Sequence, residues 1–371
     1  MKILYIVTRA IRGGVQIHLL DILRGYQGKL ELILVTGQEG FLTEKARELG
    51  VKVYVLPTLV RPIHPLKDIQ ALGQVLKLIR QEKPDLIHTH SAKSGLVGRL
   101  AGQIAKVPVV HTDHGWAFTA PLPWQWKMVS IPSEWLAAHW CSKIITVSEY
   151  ELEIGLRYKI APPSKLVKIY CGVPDTVRRA NPGKADEVNI AMVARFDPQK
   201  NHILLLQALS EIKLPFRLLL VGDGSTRSQV EDAASKLNLV ERVEFLGSRD
   251  DIDEILSKVH IFVLATHWES FGIVSVEAMR AMLPVVGSDV GGVSEVVVEG
   301  ETGFLVPSGD VIAMRDRLAQ LIADPQLRIK MGKAGRKRYE ENFTIEQMLD
   351  RILEVYQAVL ANRPMGKSIK N

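Results

Sequence analysis

The feature that most restricts the fold of this chain is a rhythm. Short, nearly continuous runs of Val, Ile and Leu alternate with amphipathic stretches along its 371 residues. A run that is apolar at every position has no face to offer to water. It suits a parallel strand covered on both sides, and parallel strands need crossover helices between them. In the first half the runs fall at 3–7, 32–36, 52–56, 85–90, 109–112, 144–147 and 166–170, with helical patterns between them that include 69–82 and 96–106. This predicts a doubly wound α/β domain.

Residues 172–187 break the rhythm. They carry Pro174, Pro182, Gly183 and mixed charges without apolar periodicity, and read as an interdomain linker. The alternation then restarts, with strands at 189–193, 217–221, 243–246, 261–265 and 285–287 and helices at 203–212, 227–237, 252–259 and 273–282. Further helices follow at 311–323, 325–341 and 345–360, the last with apolar residues at Met348, Ile352, Val355 and Val359. The chain exceeds one typical core. The expected organisation is a first domain over 1–178, a second over 179–344, and a terminal helix and tail over 345–371.

Composition narrows the setting. No apolar run approaches the ~20 residues needed to span a bilayer, and the chain opens directly on a strand pattern, so no signal peptide is expected. Cys141 and Cys171 are the only cysteines. That favours a reducing, cytoplasmic setting without a disulfide framework. Charge is uneven: residues 1–178 carry 23 Lys and Arg against 14 Asp and Glu, about +9, and the remainder 24 against 27, about −3, which recovers the net +6. A basic half points to an anionic lipid surface or a phosphorylated acceptor. Nucleic acid is disfavoured, because recognition helices, zinc spacings and RNP-like strands are all missing.

The chemistry concentrates where the run at 261–265 enters His267-Trp268-Glu269-Ser270-Phe271-Gly272-Ile273-Val274-Ser275-Val276-Glu277. A helix start leaves backbone N–H groups for an anion. Glu269 lies just before the helix and Glu277 about one turn inside it, so both can face one ligand. A phosphate site flanked by carboxylates suits a ligand with phosphate and hydroxyls, such as a nucleotide sugar. Taken alone, the segment also reads as an ordinary polar helix start.

Glu269-x-Phe271-Gly272-x-x-x-x-Glu277 resembles the signature of the retaining glycosyltransferases of family 4, which have the two-domain GT-B fold. The resemblance extends over nearly the whole chain. It implies two Rossmann-like domains facing a cleft, with the terminal helix crossing back to the first. It also implies that Glu269 contacts sugar hydroxyls, that the turn Ser270, Phe271, Gly272 and Ile273 holds the sugar-phosphate, and that Glu277 binds ribose.

Other segments fit the same family. Arg195 and Lys200 follow the first strand of the second half; the family has an Arg and a Lys at this spacing to neutralise the departing diphosphate. The alternative for Arg195 is a solvated salt bridge with Asp197. Gly13 and Gly14 resemble the glycine loop near the donor diphosphate, and Gly222 with Asp223 the loop near the nucleotide; for both, a simple tight turn is the competing reading. His114, at a strand end before Gly115, resembles the histidine beside the reacting sugar. His88, His90 and His111 form no recognised metal spacing and read as structural or acceptor-side residues. The Ser91–Gly95 loop is a weaker acceptor candidate. Asp251-x-Asp253 matches the motif of metal-dependent glycosyltransferases of another fold, but here it opens a helix. No metal and no cofactor are therefore expected.

Five of the six tryptophans, Trp116, Trp124, Trp126, Trp135 and Trp140, fall between Gly115 and Cys141, with Phe118, Ile131 and three prolines. In a basic domain this reads as an interface with lipid head groups; a locally packed cap is the alternative. The combined expectation is a metal-independent, retaining transferase. It takes a UDP-linked sugar, serves a lipid-linked or saccharide acceptor in cell-surface polysaccharide synthesis, and contacts an anionic membrane peripherally. A nucleotide-sugar epimerase of the same fold and a non-catalytic nucleotide-sugar-binding subunit are the rival readings.

Overall fold

The computed structural model describes residues 1–119, 124–183 and 185–362. The chain divides into two compact units, Met1–Gly172 with Ile345–Asn371, and Val173–Thr344. The tail from 363, the prolines at 121 and 123, and Lys184 lie outside the described residues.

The first unit runs β1 (Lys2–Val7), α1 (Gly14–Tyr26), β2 (Glu31–Thr36), α2 (Phe41–Glu48), β3 (Lys52–Val55), α3 (Pro65–Glu82), β4 (Leu86–His90), α4 (Ala92–Ala105), β5 (Val109–Asp113), α5 (Trp124–His139), β6 (Lys143–Thr146), α6 (Glu149–Arg157) and β7 (Leu166–Lys168). The strands form one parallel sheet in the order β3-β2-β1-β4-β5-β6-β7. Alternation along β1 explains its continuous apolar run. Ile3, Tyr5 and Val7 enter one core with α1, while Leu4 and Ile6 enter another with α3 and α4 on the opposite face. Strand order reverses between β1 and β4, where Val7 pairs with His90. The loops after β1, β4 and β5 therefore share the carboxyl edge of the sheet, where such sheets bind ligands.

The second unit runs β8 (Val188–Val193), α7 (His202–Ser210), β9 (Phe216–Val221), α8 (Arg227–Lys236), β10 (Val243–Gly247), α9 (Ile252–Ser257), β11 (Ile261–Leu264), α10 (Ile273–Arg280), β12 (Val285–Ser288), α11 (Val293–Val296), β13 (Gly303–Val306), α12 (Val311–Ala323) and α13 (Pro325–Asn342). Its parallel sheet has the order β10-β9-β8-β11-β12-β13, with the reversal between β8 and β11. Strand β13 is absent from the sequence-based expectation. It is four residues long, and its Gly303 lies so close to β12 that a Cβ there would stand 1.9 Å from the Val285 carbonyl oxygen.

Helix α14 (Ile345–Ala361) belongs to the first unit, as the terminal-helix expectation requires. Ile345, Met348, Leu349, Ile352, Tyr356 and Val359 enter the same core as α1. Tyr26 Oη donates to the Leu349 carbonyl at 2.6 Å, and a Cβ at Gly25 would meet Leu349 Cδ1 at 2.1 Å, so the two helices touch at a glycine.

The division falls at Gly172/Val173, and the proline-bearing stretch beyond it is strapped to the second unit. Val173 N–H donates to Phe343, Ala180 N–H to Ala281, and Arg280 to the Pro174 carbonyl at 2.7 Å. Arg328 is fully buried. It donates to the carbonyls of Pro182 (2.7 Å), Gly183 (2.5 Å), Leu321 (2.6 Å) and Ile322 (2.9 Å), tying this strap to the end of α12. Arg328→Met keeps the stem and removes every donor, leaving four buried carbonyls without their charged partner. It is expected to lower unfolding stability by about 3 kcal/mol or more in urea melts. A loss under about 1 kcal/mol would contradict this account.

Candidate functional site

Within the second unit, the loops after β8, β9, β11 and β12 pack backbone against backbone. Phe196 N–H donates to the Asp223 carbonyl at 3.1 Å, and Gly292 N–H to the Glu269 carbonyl at 3.1 Å. A Cβ at Gly222 would fall 2.0 Å from the Ala194 carbonyl oxygen, and one at Gly224 2.2 Å from that of Phe196. At Gly291 it would fall 1.9 Å from the Glu269 carbonyl oxygen, and at Gly292 2.2 Å from that of Ser270. Glycine at these positions is required by close approach. Gly222 therefore has a packing role of its own, and the Gly291-Gly292 pair is a site feature that sequence reasoning missed although the dipeptide is plain to read.

The loops after β8 and β11 meet through separate bonds, His267 N–H to the Gln199 carbonyl at 2.9 Å and Asn201 N–H to the Ala265 carbonyl at 3.1 Å, and these bring Lys200 and Glu269 together. Their side chains form a largely buried ion pair, and Lys200 also bridges to Thr266 through the backbone. Gln199 Nε2 donates to the Trp268 carbonyl at 2.7 Å and fixes the approach of the two loops. Arg195 stands apart from this pair. Its guanidinium meets Asp197 at 2.6 Å and is half-exposed, so the salt bridge with Asp197 does form. A guanidinium has five N–H donors, so one carboxylate leaves donors for a second anion. Asp223 meets Arg227 at 3.5 Å.

Gly272 caps α10 in the left-handed region, φ 87, which favours glycine. Phe271 is buried, its ring edge-on to Phe343 at 5.8 Å, so its side chain anchors the turn as core. Ser270, Ile273 and Glu277 are half-buried around the helix start. Ser275 Oγ, in the first turn, is buried without a hydrogen-bond partner. Helix α10 begins with N–H groups that have no partner inside the helix, an arrangement suited to an anion.

The Asp-x-Asp pair opens α9. Both carboxylates are engaged by arginines, Asp251 by Arg249 at 2.6 Å and Asp253 by Arg280. The Arg249 hydrogen bond holds the Asp251 carboxyl down at about 2.

In the first unit, Gly13 is the N-cap of α1 in an extended conformation, with Gly14 as the first helical residue. Gln16 clips this loop by donating to the Arg9 carbonyl at 3.0 Å. His114 follows β5 directly. Its Nε2 lies 3.0 Å from His90 Nδ1, and its ring stands edge-on to His18 with centroids 4.9 Å apart. Burial holds the imidazoles of His90 and His114 well below their usual range and brings His18 down to about 4. These are neutral rings at pH 7. His88 and His111 are structural instead: His88 bonds Tyr356 at 2.5 Å and Thr112 at 2.7 Å, and His111 bonds Thr89 at 2.9 Å. His18 was missed by sequence reasoning, since it lies 72 residues before His90 on another element. Residues Ser91–Gly95, expected as a loop, are the N-cap and first turn of α4, and their polar groups are engaged: Lys93 pairs with Asp68 of α3 at 2.6 Å, and Ser91 Oγ lies 2.9 Å from Ser94 Oγ.

The tryptophans divide. Trp116 is core, stacked on Phe118 at 5.8 Å, with its indole N–H donating to the Glu151 carbonyl at 2.8 Å. Trp124, Trp126 and Trp135 lie on α5 and are 65%, 53% and 50% exposed, beside exposed Met128, Val129 and Leu136. The inner face of α5 is pinned by a buried Arg99–Glu134 ion pair at 2.7 Å. The sequence pattern predicts no helix over this aromatic, proline-bearing run, which nevertheless forms α5 with Pro132 inside it.

Close packing at Gly291 gives a direct test. Gly291 has φ +54, and a Cβ would collide with the Glu269 carbonyl. Gly291→Ala is expected to raise hydrogen exchange at the Gly292 amide by more than about tenfold, as opening that bond becomes easier by ~1.4 kcal/mol or more. Amides of β11 and β12 should keep their protection; unchanged exchange at Gly292 would contradict the steric argument.

Known proteins share this two-unit architecture. Residues 175–338 match the model for glycosyl transferases group 1, and residues 12–177 that for glycosyltransferase family 4. The UDP-Gal:alpha-D-GlcNAc-diphosphoundecaprenol alpha-1,3-galactosyltransferase of Escherichia coli is 30% identical over 98% of each chain. The capsular polysaccharide biosynthesis glycosyltransferase CapM of Staphylococcus aureus is 26% identical over 97% of each. Among solved structures, Anabaena HepE in complex with UDP and glucose is similar with a TM-score of 0.85, at 23% identity over 96% of this chain and all of that one. Two parallel-sheet units, the loop constellation at the carboxyl ends of the second sheet and full-length similarity lead to one conclusion: this chain belongs to the group 1, family 4 glycosyltransferases of GT-B type.

Proposed function

We propose that this enzyme is a retaining, metal-independent transferase that moves a hexosyl or N-acetylhexosaminyl unit from a UDP-linked donor to a lipid-linked acceptor in cell-surface polysaccharide synthesis. The observation that carries the donor reading is the Lys200–Glu269 pair set beside the start of α10. It supplies a cation for phosphate and a carboxylate for hydroxyls at a helix N-terminus. Lys200 and the free donors of Arg195 neutralise the departing diphosphate, Glu269 accepts from sugar hydroxyls, and Glu277 from ribose. Gly222, Asp223 and the turn from Ser270 to Ile273 line the donor. Gly13, Gly14 and His114 are assigned to the first unit's share of the reaction on the family resemblance. Retention proceeds on one face: the bond from the anomeric carbon to phosphate breaks as the bond to the acceptor oxygen forms, and the leaving diphosphate takes the acceptor proton. No cofactor is required.

Relatives support the substrate classes. The Escherichia coli enzyme's name states a UDP-galactose donor and a diphosphoundecaprenol acceptor, and CapM's name places it in capsular polysaccharide biosynthesis. Among the described residues no helix is long and apolar enough to cross a membrane. Contact with lipid is therefore assigned to the exposed face of α5, at the cytoplasmic face of an anionic membrane. A cavity of 330 Å³ lies beside that face, lined by Trp135, His139, Lys159 and Lys165 among others, an aromatic and cationic setting for an anionic head group.

Thermal shift tests the division of labour at the donor. A ligand at 100 times its dissociation constant stabilises by roughly 2.7 kcal/mol. Glu277→Ala should weaken UDP and UDP-sugar alike, whereas Glu269→Ala should weaken UDP-sugar at least about tenfold more than UDP, the equivalent of ~1.4 kcal/mol. Equal effects on both ligands in both variants would overturn the assignment.

Co-sedimentation tests the surface. The protein should pellet with phosphatidylglycerol-containing vesicles at low salt and be released at high salt. Changing Trp124, Trp126 and Trp135 together to Ser should reduce pelleting by about tenfold without shifting the thermal midpoint, since half-exposed side chains hold little of the core. Unchanged pelleting would remove α5 from the contact.

A further inference from the structure

Three histidines of the first unit converge without being used up by one another. His18 comes from α1, His90 from the end of β4, and His114 from the residue after β5. One ring nitrogen of each lies within 4.8 Å of the others. His18 and His90 are buried, yet both ring nitrogens of His18 and Nε2 of His90 have no hydrogen-bond partner. A buried polar atom left unsatisfied costs about 1–3 kcal/mol. Tyr356 and Thr112 take both ring nitrogens of the neighbouring His88, and Thr89 takes Nδ1 of His111, so among the described histidines of the first unit the buried unpartnered nitrogens are those of His18 and His90.

We propose that His18, His90 and His114 form a binding site for a divalent transition-metal ion of the zinc type, with solvent as its fourth ligand. Three neutral imidazoles with an open position are a donor set suited to Zn²⁺, Co²⁺ or Ni²⁺. No carboxylate belongs to the cluster, so Mg²⁺ and Ca²⁺, which require oxygen ligands, are excluded by the same chemistry. Bonds of about 2.05 Å at tetrahedral angles place ligand nitrogens about 3.3 Å apart. With His90 Nδ1 and His114 Nε2 as ligands, that pair already stands 3.0 Å apart, so His18, whose two ring nitrogens are both unpartnered, supplies most of the adjustment. Binding breaks the His90–His114 hydrogen bond. The shared proton moves to the other nitrogen of its own ring, each ring turns a lone pair to the ion, and no net proton is released.

The ion is not a participant in transfer. It ties up His114, which the family resemblance sets beside the reacting sugar, so it acts as an inhibitor. Binding follows from the cluster alone; only the inhibition rests on the proposed role of His114. Chelation should therefore leave turnover intact or raise it.

The test uses the untagged full chain, stripped with EDTA and dialysed. Titration with Co²⁺ should give the intense visible bands of a four-coordinate site at one equivalent per chain, and Zn²⁺ should bleach them. Millimolar Mg²⁺ should have no effect. His18→Phe keeps a ring in place and removes both nitrogens. It should weaken Zn²⁺ binding by more than about 100-fold in calorimetry, since even partners outside the ligand set are worth 10–100-fold. His114→Ala, at a half-buried position, carries the same expectation and serves if His18→Phe does not fold. Failure of the unsubstituted chain to bind one equivalent, or undiminished binding by the folded variants, would overturn the site. One equivalent bound with no effect on transfer would keep the site and remove His114 from the sugar.

Discussion

Close contact between backbones, made where glycine leaves no Cβ, is the constraint on which the second unit's site depends. Gly222 and Gly224 let the loop after β9 lie on the loop after β8, and Gly291 and Gly292 let the loop after β12 lie on the turn at Glu269. Each contact fixes main chain rather than side chain, so it has few ways to relax. Lys200 and Glu269 come from segments 69 residues apart; they meet because β8 and β11 are neighbours and their loops bond through Gln199, His267 and Trp268, while the glycines seat each of these loops on its other neighbour. Had any of the four positions carried a Cβ, a carbonyl oxygen would stand about 2 Å from it, and the loops would have to separate.

Much of the fold was legible because the strands are parallel and buried on both faces. Continuous apolar runs mark such strands even without alternation, and β1 shows why: successive side chains fill two different cores. What escaped was short or atypical. Strand β13 is four residues long and begins at a glycine chosen for proximity. Helix α5 holds three exposed tryptophans and Pro132, so neither propensity nor periodicity announces it. Its exposed aromatic face is a statement about surface that no apolar count can make, because Trp116, in the same stretch of sequence, is core.

At the site, local motifs were legible and long-range partners were not. The turn from Glu269 to Gly272 reads directly from sequence, since left-handed φ at a helix cap selects glycine. The Lys200–Glu269 contact and the His18–His90–His114 cluster require knowing which strand ends are neighbours. Sequence gave no reason to join His18 to His90; the reversal between β1 and β4 does, by placing the element after β1 over the end of β4.

The Lys200–Glu269 pair also constrains how a donor can be held. A phosphate is attracted by the ammonium and repelled by the carboxylate, so a ligand with phosphate alone gains from one partner and loses to the other. A ligand that adds hydroxyls beyond the phosphate turns Glu269 from an opposing charge into an acceptor. On the proposed reading, the ion pair thus discriminates for the intact sugar nucleotide over its diphosphate. It does so by leaving an anion and a buried carboxylate opposed whenever the sugar is missing, a form of selectivity that rests on repulsion as much as on attraction.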